Sequence, residues 1–243
     1  MAVAYDGAAF HGFAKNPDVV TVAGELEKTL TEVLRHDVSI TCAGRTDKGV
    51  HARGQVVSFD ANVDFFDPVA VQRAVNRILR PSIVARDVRA TEPTFSARLS
   101  CTGRSYRYTV LSSEVSDPLL APMVWHVREP LDLRAMNAAC DQVLGLHDFS
   151  AFSKRNKSRP DESMLRRVER AEWSSRGNLI RFDIRAKSFA HQMVRSLVAM
   201  MVDVGKGHRR AIDMGEALRS LDRAQVTSPA PPQGLVFTKA HYS

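Results

Sequence analysis

The sequence predicts an α+β fold made of two ferredoxin-like halves in succession, residues 1–95 and 96–243. Three observations predict it. Through the first half, segments of alternating and helical periodicity follow one another as strand, helix, strand, strand, helix, strand, the order of a ferredoxin-like unit. The second half runs through a similar order, although no sequence identity links it to the first. At 243 residues the chain has room for one large domain or two small ones. A groove between two such halves is a natural place for a site.

The elements can be read in turn. "MAVAY" opens as a short strand, and "TVAGELEKTLTEVLR" is a helix with Thr21 at its N-cap and Val22, Leu26, Leu30, Val33 and Leu34 at helical spacing. "VSITCA" and "QVVSFD" read as strands on either side of a loop bounded by Gly44 and Gly49. "DPVAVQRAVNRILR" has Asp67 as N-cap and Pro68 at the first helical position, with Val71, Val75, Ile78 and Leu79 on one face. "SIVARDVRA" is extended. In the second half "GRSYRYTVLSS" alternates as a strand does, and "LDLRAMNAACDQVLG" is a helix capped by Asp132 and ended by Gly145. "MLRRVERAEWS" and "NLIRFDIRA" form a hairpin across Ser175–Gly177. The strongly apolar "SFAHQMVRSLVAMMVDVG" reads as a helix stopped by Gly205, followed by a helix in "AIDMGEALRSL". Prolines make "TSPAPPQG" a loop, and "LVFTKAHY" is the last strand.

Composition narrows the partners. The chain is 44% hydrophobic and 25% charged, ordinary for a globular protein. Cys42, Cys101 and Cys140 are odd in number and lack ligand spacing, which points to buried thiols, a reducing cytoplasm and no metal. No apolar run approaches the ~20 residues of a membrane span. The net charge of +7 and the pI near 9.6 lean towards a polyanion. Clustering strengthens that lean: Lys154, Arg155, Lys157, Arg159, Arg166 and Arg167 crowd one region, Arg73 to Arg89 another, and Lys206 to Arg210 a third. RNA or DNA is the expected ligand.

Chemistry concentrates in "TCAGRTDKGVHARGQVVSFD", where Arg45 and Asp47 share a glycine-bounded turn. A carboxylate beside a guanidinium keeps its charged form, which makes it a poor general acid but a usable nucleophile or partner for positive charge at a sugar carbon. Spacing alone leaves two readings open, a structural Arg–Asp pair and a reacting carboxylate.

The string "GRTDKGVHA" closely resembles the signature of the TruA-type tRNA pseudouridine synthases, G-R-T-D-x-G-V-H-A. Further pieces of that pattern follow in order: "YDGAAFHGF", "TVAGELEKTL", "FSARLSCTGRSYRY", "GLHDFSAF", "FAHQMVRSLV" and "APPQGL". The resemblance covers essentially the whole chain. It implies a continuous, mainly antiparallel sheet with helices on one face and a basic cleft between the halves. It implies conversion of uridine to pseudouridine in the anticodon stem-loop of tRNA, at nucleotides 38–40, without cofactor or metal, by a cytoplasmic homodimer. Position by position, Asp47 matches the catalytic aspartate, and Arg45 the arginine that holds the flipped nucleotide. Tyr106 matches the tyrosine that packs on the target uracil and is a candidate for proton transfer. Arg195 matches an arginine that pairs with the aspartate, and Leu235 an apolar wall of the uracil pocket. Lys154, Arg155, Lys157 and Arg159 are candidates for RNA contact. His51, His147 and His191 carry no acid or base role in the pattern.

Two departures stand out. Only four residues precede "YDG", and "AKN" follows "HGF" where the family commonly has W-Q-x-Q; both bear on RNA contacts near the N-terminus. The rival readings are a non-catalytic tRNA-binding or chaperone protein, the same chemistry at other RNA positions, and a hydrolase built on Asp47.

Overall fold

The computed structural model describes every residue except 63–65, 156–159, 227 and 243. It is mixed α+β, with ten strands, mainly antiparallel, and five α-helices among the described residues. Two compact units account for the chain: residues 1–104 with 236–243, and residues 105–235.

The first unit holds β1 (Ala2–Tyr5), α1 (Val22–Leu34), β2 (Thr41–Cys42), β3 (His51–Ser58), α2 (Pro68–Leu79) and β4 (Ile83–Arg86). β1 lies between β4 and β3, antiparallel to both, and β2 pairs with β3. This is the ferredoxin-like arrangement that the element order predicts. Local chemistry sets the helix ends. Thr21 accepts the Gly24 N–H at the start of α1, and Asp67 accepts from Val69 and Ala70 at the start of α2, each satisfying donors the helix leaves unpaired. Leu26 and Leu30 of α1 and Val71 and Val75 of α2 are buried, and the two helices pack on each other. Ile78, expected on the same face, is 41% exposed. The buried stripe steps by four residues, and a residue three on from Val75 falls roughly 60° to its side.

The edge of β3 is shared. β2 runs antiparallel along its C-terminal end, Cys42 facing Val57. At its start lies the last strand, β10 (Leu235–His241), parallel to β3 with Val236 facing His51 and Phe237 facing Ala52. Gly54 makes room for that approach, since a Cβ there would sit 2.3 Å from the Thr238 carbonyl oxygen. The Ala43–Val50 loop therefore leaves β3 where one neighbour strand gives way to the other. "VSITCA" yields only a two-residue strand, Thr41–Cys42.

The second unit runs β5 (Gly103–Ser112, begun in the first unit), β6 (Trp125–Val127), α3 (Leu133–Asp141), β7 (Gly145–Asp148), β8 (Leu165–Arg176), β9 (Leu179–Ala186), α4 (Met193–Gly205) and α5 (Ile212–Ser220). Its strands are ordered β5-β9-β8-β7, with β6 parallel to β5. The hairpin forms, turning on Gly177 and Asn178 rather than across Ser175–Gly177, with Ser175 still paired to Ile180 and Gly177 at φ 59°. α4 is buried at eleven of its thirteen residues, as a helix apolar all round must be. α3 crosses it closely at Gly205, where a Cβ would lie 2.7 Å from the Met136 sulfur.

Three expectations change. α4 begins at Met193 rather than at Ser188, because Gln192 takes a left-handed φ of 64° and Met193 closes a turn on Ala190. α3 stops at Asp141, and Gly145, at φ 92°, opens β7 instead. β6 was not foreseen: three residues are too few to show a period.

Candidate active site

Arg45 and Asp47 sit on a loop held at several points. The Asp47 carbonyl accepts the Val50 N–H at 3.1 Å, and Gly49, third in that turn, has φ 79°, as a type II turn requires. The Thr46 carbonyl accepts the Phe13 N–H at 3.0 Å. The Thr46 hydroxyl meets the buried Tyr5 hydroxyl at 2.8 Å. Burial raises the Tyr5 pKa, so the phenol keeps its proton for that bond. Behind the loop, Gly7 lies so near Val50 that a Cβ would come within 2.1 Å of its carbonyl oxygen. On this support Arg45 points outward, exposed, and Asp47 is half-buried.

Arginine gathers here. Arg104, on β5, donates from Nε to the Ala43 carbonyl at 2.8 Å and from a terminal nitrogen to the Arg98 carbonyl at 3.2 Å. Arg45, Arg98 and Arg104 all act on the Cys42 thiol. They would hold it down, but burial dominates and pushes it up from 9.0 to about 11. The sequence offers a faint signal for Arg104, which shares a face of β5 with Tyr106 by the two-residue strand period.

In the second unit Tyr106 is 8% exposed, its ring edge-on to Phe189 at 5.1 Å. Arg195 is the third residue of α4, half-buried, and its Nε donates to the Ala230 carbonyl at 2.7 Å. The Ala230 N–H returns a bond to the Arg195 carbonyl at 3.0 Å. Tyr108 donates its hydroxyl to the Pro231 carbonyl at 2.7 Å. Gly234 rests on the same ring, where a Cβ would lie 2.6 Å from two of its carbons. The segment leading to the buried Leu235 is thus pinned to α4 at one end and to β5 at the other. Tyr108 and Gly234 escaped the sequence reading, since a close contact between distant positions leaves no local pattern.

The remaining candidates separate. Lys154 and Arg155 are exposed, with Arg155 donating to the Pro160 carbonyl and the Ser150 hydroxyl, both at 3.1 Å. Lys157 and Arg159 lie outside the described residues. His51 is 2% exposed, with Nδ1 3.1 Å from the Gly7 nitrogen and 3.0 Å from an Asp6 carboxylate oxygen. His147 bonds the Leu144 carbonyl at 2.7 Å, and His191 is exposed. Among the described residues no group of three or more His, Cys, Asp or Glu could hold a metal ion, and no helix is long and apolar enough to cross a membrane.

Comparison with known proteins places this architecture. A family model described as tRNA pseudouridine synthase matches residues 1–98 and 139–243. A tRNA pseudouridine synthase A from Methylocella silvestris is 38% identical over 243 residues, covering 100% of this chain and 97% of its own. One from Geobacillus sp. is 34% identical over 99% of this chain and 96% of its own. One from Francisella tularensis is 33% identical over 100% and 93%. A chain of a solved Cbf5-Nop10-Gar1 complex aligns over 98% of this chain and 48% of its own, at 14% identity and a TM-score of 0.38, too distant to carry an argument. The family model and these relatives define the class, an isomerase that makes pseudouridine. Within it the chain belongs to the tRNA pseudouridine synthase family.

Proposed function

We propose that this enzyme converts uridine to pseudouridine at nucleotides 38–40 in the anticodon stem-loop of tRNA, by a cofactor-free mechanism centred on Asp47. The observation that carries the reading is the clamped "GRTDKGVHA" loop, which presents one carboxylate and one outward guanidinium. The reaction breaks the N1–C1′ bond of uridine, turns the base and joins C5 to C1′, after which the C5 proton leaves. Uracil first leaves the helical stack, at a cost of about a few kcal/mol. Arg45 offsets part of that cost by filling the vacated place, and Tyr106 by stacking on the base. Asp47 then acts at C1′ or C6, or by a glycal route, with Arg195 as its ion-pair partner and Leu235 as an apolar wall of the pocket. Tyr106 takes the C5 proton. A pocket closed to water protects the sugar intermediate from hydrolysis.

Exposed Lys154 and Arg155 support tRNA contact along its phosphates, as do Lys157 and Arg159 by sequence. Such contacts set register and weaken with salt. We take the working form to be a cytoplasmic homodimer, which sedimentation of the purified protein tests.

The central experiment uses unmodified tRNA tritiated at uridine C5. The wild type releases tritium, and Asp47→Ala releases none while binding tRNA within about threefold of wild type. Binding without release by the wild type would leave a non-catalytic tRNA-binding protein. Mapping the product bases then tests positions 38–40.

A further inference from the structure

Asn76, Asn137 and Gln55, among the described residues, each pair a side-chain amide with a backbone residue as a neighbouring strand would. Asn76 of α2 donates to the Ala85 carbonyl at 2.9 Å and accepts the Ala85 N–H at 2.7 Å. Asn137 of α3 does the same to Trp173, at 3.1 and 2.8 Å. These two fasten helices to strands. The third, Gln55 of β3, donates to the Gly44 carbonyl at 2.6 Å and lies 3.4 Å from the Gly44 nitrogen, whose N–H it accepts. Its place in the fold is different.

Along β3 the ladder to β2 runs Thr41 to Ser58 and Cys42 to Val57, then continues with the Ala43 N–H on the Val56 carbonyl at 2.9 Å. The next rung would be Gly44 with the backbone of Gln55. The Gln55 side chain supplies that rung in place of the main chain. One residue earlier on β3, Gly54 admits the backbone of β10, so the loop cannot stay beside β3 any further. Gln55 therefore stands at the point of departure, and the residue it grips is the one before Arg45. It is 0% exposed, and a buried amide that loses its partner is costly, which holds the Gly44 peptide firmly to it.

We propose that Gln55 is a positioning residue for pseudouridine formation: its amide sets the angle at which the loop leaves β3, and so where Arg45 and Asp47 come to lie. It touches no reacting atom. The proposal rests on the reading of Asp47 as the reacting group. A displacement of about 1 Å in a catalytic group can cost on the order of 100-fold in rate, and Gln55 governs the last peptide before Arg45, close ahead of Asp47.

The test compares Gln55→Leu and Gln55→Glu with Asn76→Leu, which removes the same kind of amide rung from β4, and with Asp47→Asn. Each is measured for thermal unfolding, tRNA affinity, and single-turnover tritium release at saturating enzyme. Gln55→Leu should slow release by about 10–100-fold with tRNA affinity within about threefold of wild type. Gln55→Glu keeps the shape and the acceptor but loses the donor to the Gly44 carbonyl, and should fall between. Asn76→Leu should lower the melting temperature and leave the rate within about twofold. Folded Gln55 variants with wild-type rates overturn the proposal. So does a rate loss matched by lost binding or lost folded protein in both Gln55 variants, the behaviour of a merely structural amide. The two failures are distinguishable: wild-type rate in Asp47→Asn defeats the reading of the loop, whereas an inactive Asp47→Asn beside a fully active Gln55→Leu defeats the positioning role alone.

Discussion

At the scale of single residues, the site separates groups proposed to react from groups that hold them. Tyr106 carries two proposed tasks, stacking and proton removal, and Tyr106→Phe splits them because the ring stays. Tritium release should fall by about 10²–10⁴-fold while tRNA affinity is unchanged; equal losses in both would assign the hydroxyl to binding. Gly234 illustrates holding. A Cβ at that position would press 2.6 Å from the Tyr108 ring, and that ring is fixed by burial and by its bond to Pro231. Gly234→Ala should lose roughly 1–3 kcal/mol of stability through overpacking, read as a lower urea midpoint. The motif points to Asp47 and Arg45 as candidates. It was silent on Tyr5, Gln55 and Arg104, because their partners lie 41, 11 and 61 positions away, and a hydrogen bond across such distances leaves no spacing to read.

At the scale of elements, the ends of helices were legible and their lengths less so. Asp67 and Asp132 each accept two backbone N–H groups at the start of α2 and α3, as their positions before a helical period suggested. Asp132→Ala should cost about 1 kcal/mol, visible in chemical denaturation, while Asp132→Ser should recover most of it. The C-terminal end of α3 and the N-terminal end of α4 were set by backbone angles at Gly145 and Gln192. A left-handed glutamine is uncommon, and periodicity carries no trace of it. The apolar run from Ser188 therefore read as one helix when its first five residues form an entry turn.

At the scale of the molecule, buried acids make stability fall in alkali. Burial raises the thiols of Cys42 and Cys140 from 9.0 to about 11 and about 12, and raises the phenols of Tyr5 and Tyr108. The folded protein keeps protons that the unfolded chain releases above about pH 9. This contribution is complete below that pH and is lost as pH climbs through about 11 and 12. The urea midpoint should be lower at pH 10 than at pH 8; an unchanged midpoint would refute the argument. Cys42 and Cys140 should also react slowly with a thiol reagent at pH 8, since the reactive thiolate is scarce.

The sequence by itself determined the class, most of the order of the elements and the candidate loop. Those are carried by local signals: hydrophobic period, capping side chains, and a nine-residue string whose chemistry lies in consecutive positions. Only the tertiary structure decided how that loop is held. It brought the side chain of Gln55 against Gly44, the Tyr5 phenol against Thr46, and β10 against the start of β3. Such contacts are chosen by packing between distant segments, where shape, burial and the need to satisfy every buried polar group act together.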